Sequence, residues 1–261
     1  MSKFTGHVLK YYWEKIEDQG ALLSSLIDPD KQYGDEGVKV AKVSYENGAD
    51  VILVGGSIGA QGSQLDDTVK RIREEVPLPV VLFPGNISGL TGFAHAVYFM
   101  QMLNSRDVYW LSTAQIQAAP VVARMGIEVI PTTYVVIEPG QAVGWIGSAN
   151  PVPKDRPDLA MACGLAGRFM GSKALLIDAG SGAPQPASPE LVKAFAKACN
   201  DEVFFSVGGG VRTVEQAKGI IAAGAHDIRI GTFFETGGDI AGKIKSMAKA
   251  IREEGKKRNK H

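Results

Sequence analysis

Eight short apolar runs, spread along the chain, constrain its fold more than any other feature. They are "ALLSSLID" (21–28), "ADVILVGG" (49–56), "PVVLFPG" (79–85), "AVYFM" (96–100), "IEVIPTTYVVIEPG" (127–140), "KALLIDAG" (173–180), "VFFSVGGG" (203–210) and "DIRIG" (227–231). They are rich in Val, Ile, Leu and Phe and lack clean polar alternation, as strands buried on both faces of a parallel sheet do. Helical patterns lie between many of them. "DEGVKVAKVSYENG" (35–48) puts Val38, Ala41 and Tyr45 on one face and stops at a glycine. "SPELVKAFAKACN" (188–200) opens on a serine cap followed by proline. "TVEQAKGIIAAGA" (213–225) starts at Thr213 and stops at Gly224, and "DIAGKIKSMAKAIREEG" (239–255) is the last helix. "GHVLKYYWEKIEDQG" (6–20) predicts one extra helix ahead of the first strand. Eight such strands in 261 residues predict a (β/α)8 TIM barrel, one domain spanning 1–261, near the typical size of about 250 residues. A doubly wound open sheet is the competing arrangement.

One connection does not fit a regular barrel. "GNISGLTGFAHA" (85–96) carries three glycines and no sustained helical period. An irregular segment therefore stands in place of the third barrel helix. It either leaves a gap in the outer ring or is simply a short irregular link.

Barrel sites gather at the C-terminal ends of strands. Those ends carry Asp28-Pro29-Asp30-Lys31, Gly55-Gly56-Ser57, Pro84-Gly85-Asn86, Asn104-Ser105, Glu138-Pro139-Gly140, Asp178-Ala179-Gly180-Ser181-Gly182, Gly208-Gly209-Gly210 and Gly231-Thr232. The last three are glycine-rich, where barrels commonly bind phosphate through backbone N–H groups. A plain strand-to-helix turn is the other reading of the triple glycine. Asp28 and Ser57 stand at neighbouring ends, and a carboxylate with a hydroxyl suits a hard ion such as Mg²⁺. An Asx turn before Pro29 accounts for Asp28 equally well.

Composition excludes some classes. Lys plus Arg and Asp plus Glu are 28 each, so the net charge is 28 − 28 = 0 and nothing draws the chain to nucleic acid. The basic end, Lys256 to His261, reads as a solvated, frayed terminus or as a weak attraction to an anionic membrane surface. Cys163 and Cys199 have no CxxC or His partner and read as small buried or half-buried residues in a reducing cytosol. No run of about 18 apolar residues predicts a membrane span. The four histidines are scattered without a ligand spacing.

Read together, "LIDPDK", "ILVGGS", "LFPGN", "FMQMLNS", "YVVIEPG", "VGWIG", "DAGSGA" and "VGGGVRT" resemble the geranylgeranylglyceryl phosphate synthase family, with the bacterial heptaprenylglyceryl phosphate synthase as a relative. The match runs from Leu26 to Glu235 in order. It implies a Mg²⁺-assisted prenyltransferase that joins sn-glycerol 1-phosphate to geranylgeranyl diphosphate, the first ether bond of archaeal membrane lipids. It also implies a homo-oligomer; the cysteines and the basic end add the expectation of a cytoplasmic protein in transient contact with the membrane surface. Asp28 and Ser57 fall on the family's metal positions. Leu176, Ile177, Asp178, Ala179, Gly180, Ser181 and Gly182 fall on its glycerol-phosphate loop; Gly208-Gly209 and Gly231-Thr232 fall on its phosphate-binding pairs. The family also lacks a regular third helix.

The chain departs from the family at three positions. The family's loop usually reads Tyr-Leu-Glu-Ala-Gly-Ser-Gly, and here Leu176 replaces the Tyr and Asp178 the Glu. Thr232 replaces an Asn. Asp178 or Glu138 is expected to take the glycerol hydroxyl proton, with Asp178 preferred because its loop holds the glycerol. Phe99, Met100, Tyr109, Trp110, Tyr134 and Trp145 are expected around the prenyl chain, although aromatics are more often ordinary core. Three rivals remain: another prenyl length, a phosphosugar isomerase or aldolase, and a catalytically weakened binding barrel. The aldolase needs a buried amine, yet Lys31 and Lys173 lie at strand margins.

Overall fold

All eight apolar runs form strands: β1 (Leu22–Ile27), β2 (Val51–Val54), β3 (Val80–Leu82), β4 (Ala96–Met102), β5 (Glu128–Val136), β6 (Ala174–Asp178), β7 (Phe204–Gly208) and β8 (Asp227–Ile230). A computed structural model gives this arrangement and describes residues 4–56, 61–231 and 239–258. Each strand pairs in parallel with the next, and β8 pairs with β1 (Ser24 opposite Arg229), closing the barrel.

Side-chain alternation along each strand makes two cores from one sheet. Leu175 and Ile177, Phe205 and Val207, and Ile228 and Ile230 face outward into a cluster with helix residues such as Leu191 and Ile220. Their neighbours Leu176 and Phe204 join Leu53, Val81, Tyr98 and Tyr134 inside the barrel. In β8 the inward positions are Asp227 and Arg229, both buried.

The helices are α1 (Val8–Gln19), α2 (Asp35–Glu46), α3 (Gly62–Glu75), α4 (Ala114–Met125), α5 (Gln141–Ile146), α6 (Pro157–Phe169), α7 (Pro189–Cys199), α8 (Val214–Ala222) and α9 (Ile240–Arg258). The predicted caps of α7 and α8 are present. Ser188 accepts from Leu191 N–H, and Thr213 forms a reciprocal capping box with Gln216. The extra helix α1 closes the N-terminal end of the barrel. Val8 and Tyr12 are fully buried there, and the Tyr12 and Phe204 rings lie 4.6 Å apart. Glu128, at the start of β5, accepts from the N–H groups of Val8 and Leu9 and so satisfies two of the free donors of the helix end.

No helix forms between β3 and β4. Residues 83–95 run as turns and bends, as the glycine-rich sequence predicts. Of the basic end expected to fray, Lys256 to Arg258 are helical, and residues 259–261 lie outside the described residues. α9 continues through Arg258, whose Nη1 donates to Ala225 O at 2.7 Å, so tertiary contact holds the last turn. Cys163 is half-buried and Cys199 buried, and both are free. Among the described residues, no helix is long and apolar enough to cross a membrane.

Candidate active site

A cavity of about 390 Å³ opens among the C-terminal strand ends. Its polar end is lined by Asp28, Lys31, Gly56, Asp178, Ser181 and Gly231. Its apolar end leaves the barrel mouth sideways. It is lined by inward residues of β4 (Tyr98, Met100 and Met102) and also by the outward pair Val97 and Phe99. The outer wall comes from Leu90 of the irregular link and Ala114 and Ala118 of α4. The space that a third barrel helix would fill is thus part of the cavity, and this favours the gap over the plain irregular link.

Asp178, the last residue of β6, is fastened at both oxygens. Oδ1 accepts from Gly180 N–H at 2.7 Å, and Oδ2 pairs with Arg229 Nη2 at 3.2 Å. Its side chain keeps 14% exposure, toward the cavity. The Tyr134 hydroxyl bonds the same carboxylate. Burial first, and the Asp178 charge second, lift its pKa well above 10, so it stays a phenol.

The triple glycine has a geometric cause. A Cβ on Gly208 would lie 2.7 Å from Arg229 Nη2 and 2.9 Å from Asp178 Oδ2. Gly209, at φ +83°, would bring a Cβ within 2.8 Å of Asp178 Oδ1 and of the Ala179 and Gly180 nitrogens. Gly210, at φ +75°, would strike the Gln185 carbonyl at 2.5 Å. Positive φ and close packing against the β6 loop together require glycine here. Arg212 ties the same two loops, donating to Pro184 O (2.8 Å) and Gly182 O (3.3 Å).

The seven-residue loop divides by direction. Asp178 and Ser181 line the cavity, Leu176 is in the interior core, and Ile177 and Ala179 are in the outer one. Gly208 and Gly209 stand behind Asp178, and Gly231 lines the cavity. Thr232 and Ser57 lie outside the described residues.

Asp28 follows β1 directly and accepts from Asp30 N–H at 3.2 Å, the Asx turn that its sequence allows. Its carboxylate rests on Gly56, where a Cβ would fall 2.5 Å from Oδ1. It also lines the cavity, so turn and cavity roles coexist. Among the described residues no three His, Cys, Asp or Glu side chains stand together as a metal cage. The Asp28 carboxylate in the cavity lining, with room for water and substrate oxygens, fits Mg²⁺ better than a fully protein-ligated ion.

The aromatic candidates separate. Phe99, Met100, Trp110 and Tyr134 line the cavity. Tyr109 does not, and packs edge-on against Trp110 at 4.9 Å. Trp145 is 85% exposed, away from the lining. Glu138 is exposed, lies outside the lining and accepts from Lys154 N–H at 3.2 Å. Among the described residues Lys31 is the one lysine in the lining, and it is exposed.

Sequence reading did not single out Phe83, Ser206, Asp227 or Arg229. Arg229 is buried over the Phe83 ring, with Cζ 5.5 Å from the centroid. Burial pushes the Asp227 carboxyl up to about 6, against the opposing pull of Ser206, Arg229 and Ser24. A signal was present. Asp227 and Arg229 alternate with isoleucines in a run of strand length, and period two puts both charges on one face.

Comparison with known proteins adds the following. A sequence profile of the PcrB family matches residues 16–251. The geranylgeranylglyceryl phosphate synthase of Methanothrix thermoacetophila is 43% identical, across 94% of this chain and 96% of its own. That of Thermococcus kodakarensis is also 43% identical, across 90% and 92%. Among solved structures, the (S)-3-O-geranylgeranylglyceryl phosphate synthase from Thermoplasma acidophilum in complex with substrate sn-glycerol-1-phosphate superposes with a TM-score of 0.90. It is 31% identical and covers 95% of this chain and 100% of that one. An archaeal fructose 1,6-bisphosphate aldolase, at 12% identity and a TM-score of 0.61, covers 94% and 99% and shares the fold alone.

Proposed function

The chain belongs to the PcrB family, and from that premise we propose how its residues carry the reaction its relatives are named for. It is a geranylgeranylglyceryl phosphate synthase, a prenyltransferase acting on a glycerol phosphate and a prenyl diphosphate. The observation that carries the assignment of roles is the shape of the cavity, polar at the strand ends and apolar where the third helix is missing.

The phosphate of sn-glycerol 1-phosphate binds at the glycine-rich ends around Ser181, Gly208-Gly209 and Gly231-Thr232. Backbone N–H groups in such loops serve as anion donors. Asp178 accepts hydrogen bonds from the glycerol hydroxyls. The diphosphate of the prenyl donor lies toward Asp28 and Ser57, and its chain runs past Tyr134, Phe99 and Trp110. Asp28 and Ser57 would hold Mg²⁺, which when bound would supply Lewis-acid stabilisation of the departing diphosphate. The bond from prenyl C1 to the diphosphate oxygen breaks, and its electron pair leaves with the diphosphate. The glycerol C3 oxygen bonds to C1, and its proton passes to Asp178. The rest of the catalysis is positioning of the two substrates. The exposed, backbone-engaged carboxylate of Glu138 supports Asp178 as the base.

The absence of a buried lysine from the lining, among the described residues, weighs against a Schiff-base aldolase. The apolar arm has no use in a phosphosugar isomerase. Homo-oligomerisation and transient membrane contact belong to the same proposal; the exposed Trp145 on α5 supports a protein contact there.

The test supplies purified protein with labelled sn-glycerol 1-phosphate, Mg²⁺ and a ladder of prenyl diphosphates, and extracts the organic phase. Prenylglyceryl phosphate from the geranylgeranyl donor is expected, and it should vanish in Asp28→Ala. A longer preferred donor keeps the mechanism and changes the chain length. No product with any donor sinks the transferase reading.

A further inference from the structure

Arg229 and Asp227 form an ionic layer directly beneath the polar end of the cavity, and the transfer steps do not use it. Asp227 accepts from Ser24 Oγ at 2.9 Å and from Ser206 Oγ at 2.5 Å. Ser206 Oγ in turn accepts from Arg229 Nη1 at 2.8 Å. Arg229 Nη2 donates to Ile177 O at 2.7 Å and to Asp178 Oδ2 at 3.2 Å. A buried guanidinium is costly to desolvate and is a poor device for stability alone. Here the contacts to Ser206, Ile177 and the Phe83 ring hold the guanidinium in place while Nη2 reaches Asp178. The pair crosses above the Cα of Gly208, where a Cβ would obstruct both Nη2 and Oδ2. Gly208, Arg229 and Asp178 therefore depend on one another.

We propose that Arg229 is a positioning residue for Asp178, fixing its carboxylate in the direction that meets the glycerol hydroxyls, and that Asp227, through Ser206, fixes Arg229. Gly180 N–H on Oδ1, Arg229 on Oδ2 and the Tyr134 hydroxyl on the same carboxylate hold the side chain, which keeps 14% exposure toward the cavity. The anchor matters more for an aspartate, which reaches less far than a glutamate. This inference rests on the reading of Asp178 as the glycerol-binding acid.

Arg229→Met, Arg229→Lys, Asp178→Asn and the Asp178→Asn/Arg229→Met double variant test it. The readouts are kcat, both KM values, and the calorimetric Kd for sn-glycerol 1-phosphate. Arg229→Met should raise the KM and Kd for glycerol phosphate roughly tenfold or more, the scale of a charge-assisted bond, and leave the donor KM unchanged. Arg229→Lys should restore part of the loss, since it keeps the charge and loses the fork. In the Asp178→Asn background, Arg229→Met should add less than about twofold, because its target is already gone. Equal losses in both backgrounds, or an equal rise in the donor KM, overturn the proposal. If Arg229→Met does not fold by circular dichroism, Asp227→Asn/Arg229→Met removes both buried charges and is measured in the same way. Wild-type protein that binds sn-glycerol 1-phosphate without turnover refutes the transferase reading, while the Kd coupling still judges Arg229. Wild-type protein that does not bind it overturns both.

Discussion

Gly55 sits against the β3 exit, where a Cβ would fall 1.9 Å from the Phe83 carbonyl oxygen. Neither backbone can retreat without breaking the hydrogen bonds of the closed barrel. Gly55→Ala is expected to cost about 1–3 kcal/mol or more, read from urea unfolding midpoints. Gly219, inside α8, has nothing within 4 Å of a Cβ. Gly219→Ala should stabilise by roughly 0.5–1 kcal/mol in the same measurement, since an open helical glycine only adds backbone entropy to the unfolded chain. Equal signs for the two variants would contradict the packing argument. The glycine run 208–210 was visible in the sequence, but its neighbours were not. Asp178, Arg229 and Gln185 come from other strands and loops, and only barrel closure brings them within 3 Å of the Gly208 to Gly210 Cβ positions.

At the scale of elements, the missing helix between β3 and β4 decides how far the cavity reaches. Trp110, on the π-helical turn Tyr109–Thr113 that leads into α4, lines the apolar arm with Ala114 and Ala118. Trp110→Ala removes the bulkiest of these walls. The donor preference should move toward longer prenyl diphosphates, with the KM for sn-glycerol 1-phosphate unchanged, in competition assays with mixed donors. An unaltered preference would place the length limit elsewhere along the arm. α4 was harder to read from sequence than α7 or α8. It carries Pro120 in its interior and opens through a π turn without a capping side chain. The caps Ser188 and Thr213 are local signals, so they survive into the structure unchanged.

Across the whole molecule, stability should fall as the solution is acidified below neutrality. His95 Nδ1 accepts from Val80 N–H at 2.9 Å, so the fold holds the ring neutral. Burial foremost, then the Arg73 charge, lowers its pKa to about 4 from 6.5. His226 is lowered by burial as well, with Nδ1 accepting from Phe205 N–H. A depressed histidine contributes stability above its unfolded pKa and loses it as pH falls through the folded value. For His95 that window is about 6.5 to 4. Asp227 works in the opposite direction: raised to about 6, it favours the fold below its ordinary 3.8 and loses that contribution as pH rises. His95→Asn keeps an acceptor without the titration. Its urea midpoint should fall less than wild type between pH 7 and pH 4.5, about the window in which the histidine titrates. Parallel pH profiles for the two proteins would remove His95 from the explanation.

The sequence by itself determined the eight strands, the extra first helix, the irregular third link and the glycine-rich ends. Each rests on residues adjacent in the chain: apolar runs, caps and glycines that act over a few positions. It also placed Asp28 and Asp178 at strand ends, and both line the cavity. Tertiary structure alone decided which candidates face that cavity. Glu138 and Trp145 turn to solvent, and Tyr109 falls behind Trp110. It also decided that Arg229 meets Asp178 across 51 positions of sequence. Such pairings depend on closure of β8 onto β1 and on the direction of each strand's side chains, and no local pattern encodes the residue on the neighbouring strand.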